Sequence, residues 1–139
     1  MSDPEVIDET PVTDPEPEPE PEPAPVYPED SILNTIKDML GPSGDYDAFD
    51  REILVHINSA FGRLCELGVG PDYPYAIDGP EQVWDEFGTP VPIPQVKRFV
   101  FLYVKRIFDP SANSVIMQAY KDEIDKLEWL MNSVSEVGY

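Results

Sequence analysis

The residue types that most often carry out chemistry are sparse in this chain, which has one histidine, His56, and one cysteine, Cys65. On a single helix, at 100° per residue, these two side chains point to nearly opposite sides. A Cys-His pair within this segment is therefore excluded. A partly buried structural histidine and an inert thiol are the favoured interpretations.

Carboxylates are abundant, but their spacing fits no standard metal or phosphate site. The acidic run Asp45, Asp47, Asp50 and Glu52 lacks the central glycine and the distal glutamate of a calcium loop. The sequence contains no Gly-rich phosphate loop, zinc-protease signature or nucleophile elbow. We expect no cofactor, no metal and no enzymatic activity. A carboxylate-based enzyme stays an alternative, because an acidic chain supplies many carboxylate pairs by chance.

The charge of the chain is strongly negative, with 28 acidic and nine basic residues and a formal net charge of −19. Such a chain is repelled by nucleic-acid phosphates and anionic membranes. Its N-terminus lacks the basic and apolar regions of a secretory signal, and no stretch has the roughly 20 apolar residues of a membrane span. We therefore expect a cytosolic protein.

Residues 1–30 form a region of distinct composition, with 11 carboxylates and no Lys or Arg. Prolines are frequent and large apolar residues are rare, so this region cannot bury enough surface to offset the entropy of ordering. Between Pro15 and Pro23 the sequence alternates strictly as Pro-Glu, which favours polyproline II. We predict a disordered acidic tail over residues 1–30 and one folded domain over residues 31–139.

Hydrophobic periodicity predicts the helices of this domain. The first begins with Asp30 or Ser31 as N-cap and ends at Leu40; the second spans about 47–67 with Asp47 as N-cap and Gly68 as stop signal. A Gly- and Pro-rich connection follows, with a short helix over 81–87. Two longer helices cover about 94–108 and 114–134. The predicted inward-facing residues include Phe49 on the second helix and Ile116, Tyr120, Ile124, Leu127, Met131 and Val134 on the fourth.

The sequence thus predicts an all-α fold, a small helical bundle of about four helices plus one short helix. Its third helix is apolar on nearly every side, so we expect it either at the centre of the fold or covered by a neighbouring copy. Trp84 is expected to anchor the long connection onto the core.

The motifs occur in a familiar order: ILNTIK at 32–37, FDREI at 49–53, HINSAF at 56–61, LGVGP at 67–71, WDEF at 84–87, IFDP at 107–110 and LEW at 127–129. Together they resemble the head-tail connector, or adaptor, proteins of long-tailed bacteriophages over residues 31–132. The resemblance implies a helical subunit without enzymatic activity, placed at the virion neck after synthesis in the host cytoplasm. It also implies assembly into a ring of typically twelve copies that joins the portal to the stopper or tail and lets DNA pass through its centre.

The basic residues of the third helix are solvated and paired within the chain, or they meet carboxylates of an adjacent copy. On the second interpretation, and with aromatic anchors added, the candidate subunit or partner interface consists of Lys97, Arg98, Phe101, Leu102, Lys105, Arg106, Trp84, Trp129 and Tyr139. The main alternative to a connector is a small acidic regulator or DNA mimic that binds basic partners.

Overall fold

The computed structural model describes residues 28–136, without the side chains of residues 43, 135 and 136. Its four α-helices are α1 (Ile32–Leu40), α2 (Asp50–Glu66), α3 (Ile93–Phe108) and α4 (Ser114–Glu136). Short 3₁₀ helices occur at Gly41–Gly44, Asp47–Phe49 and Trp84–Glu86. Within residues 28–136 no strand forms beyond one isolated bridge between Ser31 and Val83. The all-α prediction is confirmed, whereas residues 1–27 of the predicted tail lie outside the described part.

The helix termini follow local capping chemistry. At α1 the Ser31 hydroxyl accepts a hydrogen bond from the Asn34 amide at 3.3 Å, so the predicted N-cap is confirmed. The prediction of Asp47 as N-cap of the second helix is wrong, because Asp47 begins a 3₁₀ turn and α2 starts only at Asp50. Asp47 and Asp50 instead both bind the Lys37 ammonium, at 2.9 and 2.8 Å.

A Schellman motif terminates α2, with Gly68 as its left-handed residue. Gly68 has a φ of 78°, and its amide bonds to the Cys65 carbonyl at 3.0 Å. The Val69 amide reaches back to the Leu64 carbonyl at 2.8 Å, and the Val69 side chain is buried. A left-handed residue at this position favours glycine, which explains why the sequence signal predicted the end of the helix.

Helix α3 lies at the centre of the fold, where it packs against α1, α2 and α4. Its buried residues are Val96, Phe99, Val100, Leu102 and Val104. They point in several directions around the helix axis, and each is covered by another helix or loop of the same chain. Of the two expectations for this helix, the central position is the one observed, and no second copy is needed to bury these five residues.

Helix α4 contacts the core mainly through its second half. Asn113 caps it, with Oδ1 accepting from the Val115 amide at 2.8 Å. Ile124, Leu127 and Met131 are buried as predicted. The prediction for Ile116 is wrong, because 41% of its surface is exposed where the first turns of α4 extend past the core. None of the described helices is long and apolar enough to cross a membrane.

The prediction that Phe49 faces inward is also wrong. Its ring is 44% exposed and packs edge-on against Phe108, with centroids 5.6 Å apart. Phe49 lies in the 3₁₀ turn before α2, so it does not follow the direction that the α-helical periodicity of α2 assigns to it.

The long connection between α2 and α3 is held by an aromatic cluster and by Asn58. Phe61 of α2 contacts Tyr75 and Phe87 at centroid distances of 5.0 and 5.1 Å. The Asn58 amide group donates to the Ile77 carbonyl at 2.9 Å and accepts from its backbone amide at 2.8 Å. These contacts give a loop without regular structure a defined path across α2.

Candidate interface for assembly

The basic residues of α3 are engaged mainly within the chain. Arg98 forms a bidentate pair with Glu123 of α4, through Nε at 2.6 Å and Nη2 at 2.9 Å. The hydrogen bonds from Arg98 lower the pKa of Glu123, and the same bonds raise the pKa of Arg98. Because both side chains are more than one third exposed, this pair contributes at most about 1 kcal/mol to stability.

The two lysines of α3 have partners of different kinds. Lys105 binds Asp109 one turn later, with Nζ and Oδ2 2.8 Å apart. The Lys97 ammonium lies 5.6 Å from the centroid of the Trp84 ring, within the range of a cation–π contact. Intrachain pairing, the first of the two sequence-based interpretations, therefore describes Arg98 and Lys105.

Two residues of the predicted interface are interior. Leu102 is fully buried and Trp84 is 1% exposed. The Trp84 ring packs against Phe61, and its Nε1 donates to the Thr35 hydroxyl at 3.2 Å. Neither side chain is available to a partner unless the fold opens, so their assignment to an interface is wrong for the folded chain. The Trp84 ring anchors α1 and the long connection to the core.

The remaining members of the predicted set differ in accessibility. Phe101 is half-buried beneath the Arg98 guanidinium, which lies 5.7 Å from its ring centroid. Trp129 is 69% exposed on α4. Tyr139 lies outside the described residues. Trp129 is thus the large apolar side chain of the set that is presented to solvent, and its role in an interface stays a prediction.

Trp129 belongs to an outer face of α4 that the sequence analysis did not identify. Val115, about four helical turns earlier, is 75% exposed and lies on the same side of the helix. Neither residue belongs to the predicted inward-facing stripe of α4. Apolar residues outside that stripe were the feature of the sequence that could have indicated this face. We call Val115 and Trp129 the outer α4 face.

A second exposed apolar surface joins the start of α2 to the end of α3. Tyr46 packs edge-on against Phe49, with centroids 6.1 Å apart, and Phe49 in turn contacts Phe108. Tyr46 is 65% exposed and Ile107 46%. Aromatic residues exposed at this density are typical of interaction surfaces.

An open groove of about 720 Å³ lies between α3, α4 and the loop that joins them. We call it the α3–α4 groove. It collects basic, acidic and apolar side chains from three helices, among them Arg63, Tyr103, Arg106, Met117, Lys121, Asp125 and Glu128.

The two arginines that line this groove differ in their partners. Arg63 donates from Nε and Nη2 to the two carboxylate oxygens of Glu128, each at 3.0 Å, and these bonds raise its pKa. Arg106 stacks on Tyr103, with Cζ 4.2 Å from the ring centroid. Its buried Nε has no hydrogen-bond partner among the described residues. Sequence periodicity could not reveal the groove, because its lining residues come from three helices and the loop between α3 and α4, which meet only in the folded chain.

His56 and Cys65 are both half-buried on α2. Across residues 28–136, no three or more His, Cys, Asp and Glu side chains are grouped so that they could hold a metal ion.

In a comparison with known protein families, residues 32–138 match the family described as phage connector protein. The matched range includes all four α-helices. No curated protein and no solved structure matches the chain.

Proposed function

Because the chain belongs to the phage connector protein family, we propose that it forms a ring that joins the portal to the stopper or tail of the virion. A connector is a structural protein of the virion neck. The observation that carries the proposal is the extent of the match, which covers the whole folded body rather than one helix pair. Twelve copies with cyclic symmetry are the expected number, and no enzymatic step is part of the role.

The exposed apolar residues support self-assembly. The outer α4 face and the aromatic surface around Tyr46 lie on different elements of the fold. A closed ring needs two different patches on each subunit, one to meet each neighbour. We propose that these two surfaces serve as the contacts to neighbouring copies or to the portal and the stopper.

The charge of the chain supports passage of DNA through the ring without specific binding. Residues 31–139 carry 17 acidic and nine basic side chains, and four of the basic ones hold carboxylates of the same chain, namely Lys37, Arg63, Arg98 and Lys105. A lumen of this sign repels phosphates, so DNA slides without being held. Fluorescence anisotropy with duplex DNA at physiological salt tests this point, and measurable affinity would contradict it.

Assembly with the portal is the decisive experiment. We expect rings of the chain on portal particles in electron micrographs, and a discrete oligomer-on-portal mass in native mass spectrometry. A monomer in the absence of the portal is compatible with the proposal, since such a subunit can assemble on its template. If no ring forms when the portal is present, the connector proposal fails.

The alternative, a small acidic regulator or DNA mimic, draws its support from the net charge of −19. Because 11 of the 28 carboxylates lie in residues 1–30, much of this charge belongs to the tail rather than to the folded body. The family match covers the folded body, and we therefore prefer the connector.

A further inference from the structure

The α3–α4 groove has cationic groups that the folded body leaves without carboxylate partners. Lys121 has no carboxylate of the described chain within ion-pair distance, and neither has Arg106. Two carboxylates also line the groove, Glu128, which is held by Arg63, and Asp125; against the three cations Arg63, Arg106 and Lys121 they leave a net charge of +1. Two of the chain's nine basic residues are thus directed into a groove that also exposes the apolar surfaces of Tyr103 and Met117. A ligand that fits combines carboxylates with apolar groups.

The chain itself contains a segment of this chemistry. Residues 1–27 carry nine carboxylates and no Lys or Arg, and Pro15–Pro23 alternates Pro with Glu. Polyproline II has about three residues per turn, so a two-residue repeat places proline rings and carboxylates alternately along every edge of the helix. Whichever edge faces the groove, it offers both groups. Proline-rich segments of this form commonly dock against aromatic side chains.

The segment is also long enough to reach. The Trp84 amide bonds to the Asp30 carbonyl at 3.2 Å, and Lys97 lies over the Trp84 ring, so the tail joins the fold beside the start of α3. From Lys97 to Arg106 the helix rises about 14 Å, and crossing it adds about 10–12 Å. Residues 16–28 in polyproline II span about 37 Å. The tail can therefore reach the groove of its own chain at high effective concentration.

We propose that the Pro15–Pro23 segment docks in the α3–α4 groove of the same chain. Its prolines pack on Tyr103 and Met117, and its glutamates face Arg106 and Lys121. This goes beyond the proposed connector role, because it gives the tail a binding site and makes it a competitor for any acidic segment of a neighbour that uses the groove.

Zero-length carbodiimide cross-linking of the full chain tests the contact. The reagent joins a carboxylate to an amine only when the two touch, and mass spectrometry identifies the joined residues. Lys121 is the reporter, and Lys126 is the matched control, since it is an exposed lysine on the same helix outside the groove. We expect glutamates 16–22 to join Lys121 at least about tenfold more often than Lys126, and the preference to fall as salt rises.

A mixture of isotope-labelled and unlabelled chains assigns the contact to one copy or two. The proposal predicts cross-links within a copy. Cross-links only between copies, or equal yields at Lys121 and Lys126, would overturn it, the second result indicating unspecific attraction.

A variant that leaves the folded body unchanged gives a second test. Replacing Glu16, Glu18, Glu20 and Glu22 with Gln removes the charge of the segment. In the NMR spectrum we expect the amide signals of Met117 and Lys121 to shift while that of Val55, on the outer side of α2, stays in place. Unchanged signals around the groove would contradict docking, whatever the outcome of the portal experiment.

Discussion

At the scale of single residues, Gly70 shows how closely the long connection approaches the core. Its φ is 98°, a conformation that side-chain-bearing residues rarely adopt. A Cβ atom at this position would also clash with the ring of Phe87. The ring cannot retreat easily, because it packs against Phe61 and Tyr75. Both the backbone and the space around it therefore require glycine.

The substitution Gly70→Ala is predicted to destabilise the fold by about 2–4 kcal/mol, combining left-handed strain with overpacking. Gly62→Ala is the matched control, because Gly62 lies within α2 and nothing surrounds its would-be Cβ within 4 Å. There we expect stabilisation by about 0.5–1 kcal/mol from helix propensity. Urea unfolding measures both, and equal effects of the two substitutions would contradict the prediction.

The Arg98–Glu123 pair makes stability depend on pH in the acid range. The pKa of Glu123 is lower in the folded chain than in the unfolded one, where it is about 4.3. The pair therefore stabilises the fold fully above that value, and the contribution is lost as the pH falls through the folded pKa.

We expect Glu123→Gln to cost up to about 1 kcal/mol at pH 7 and to flatten the loss of stability below about pH 4.3. Urea titrations at pH 7 and at several acid pH values measure this difference. Asp72→Asn, at an exposed loop carboxylate, is the control and should change the stability at pH 7 by less than about 0.5 kcal/mol. If the stability of Glu123→Gln fell more steeply with decreasing pH than that of the unsubstituted chain, the prediction would be contradicted.

At the scale of elements, the connection between α2 and α3 is organised by side chains rather than by backbone ladders. Asn58 presents its amide group to both polar atoms of the Ile77 peptide unit. Two residues before Ile77, the Tyr75 hydroxyl donates to Glu86 at 2.8 Å. Burial raises the pKa of Tyr75. The loop thus has two polar anchors in addition to its aromatic ones.

Asn58→Ala should detach this part of the connection. Losing both hydrogen bonds to Ile77 is expected to cost about 1–3 kcal/mol, because a partly buried peptide unit loses its partners. Hydrogen exchange should then accelerate at the Ile77 amide. Ser59→Ala, at the exposed neighbouring position of the same helix, is the control and should change neither quantity.

At the scale of the whole molecule, the charged and apolar surfaces have different roles. Cations such as Lys37, Arg63 and Arg98 hold elements of the same chain together. Trp129 and Val115 on the outer α4 face, and Tyr46 and Ile107 on the aromatic surface, are exposed elsewhere on the molecule. In a protein with a net charge of −19, mutual repulsion opposes association, so the contacts between copies in the proposed ring would depend on apolar burial.

Trp129→Ala is predicted to impair ring assembly on the portal without lowering stability by more than about 0.5 kcal/mol, because the side chain is mostly exposed. Ring occupancy in electron micrographs and urea unfolding give the two readouts. Val55→Ala removes an exposed apolar residue from α2 and serves as the control. Full ring occupancy with Trp129→Ala would exclude this tryptophan from the interface.

The sequence by itself determined the all-α class, the start of α1 after Ser31, the end of α2 before Gly68, and the family. These features depend on local capping chemistry and on the order of motifs along the chain, which tertiary packing does not alter. The inward stripe of α4 was also predictable wherever the helix lies over the core.

Only the tertiary structure decided what surrounds α3, because periodicity identifies an apolar side without telling whether another helix or another copy covers it. It also decided that Arg98 meets Glu123 and that Ile116 is exposed. The first depends on how α3 and α4 pack, and the second on where the core ends along α4. The α3–α4 groove has the same origin, since its lining residues come from separate helices that meet only in the folded chain.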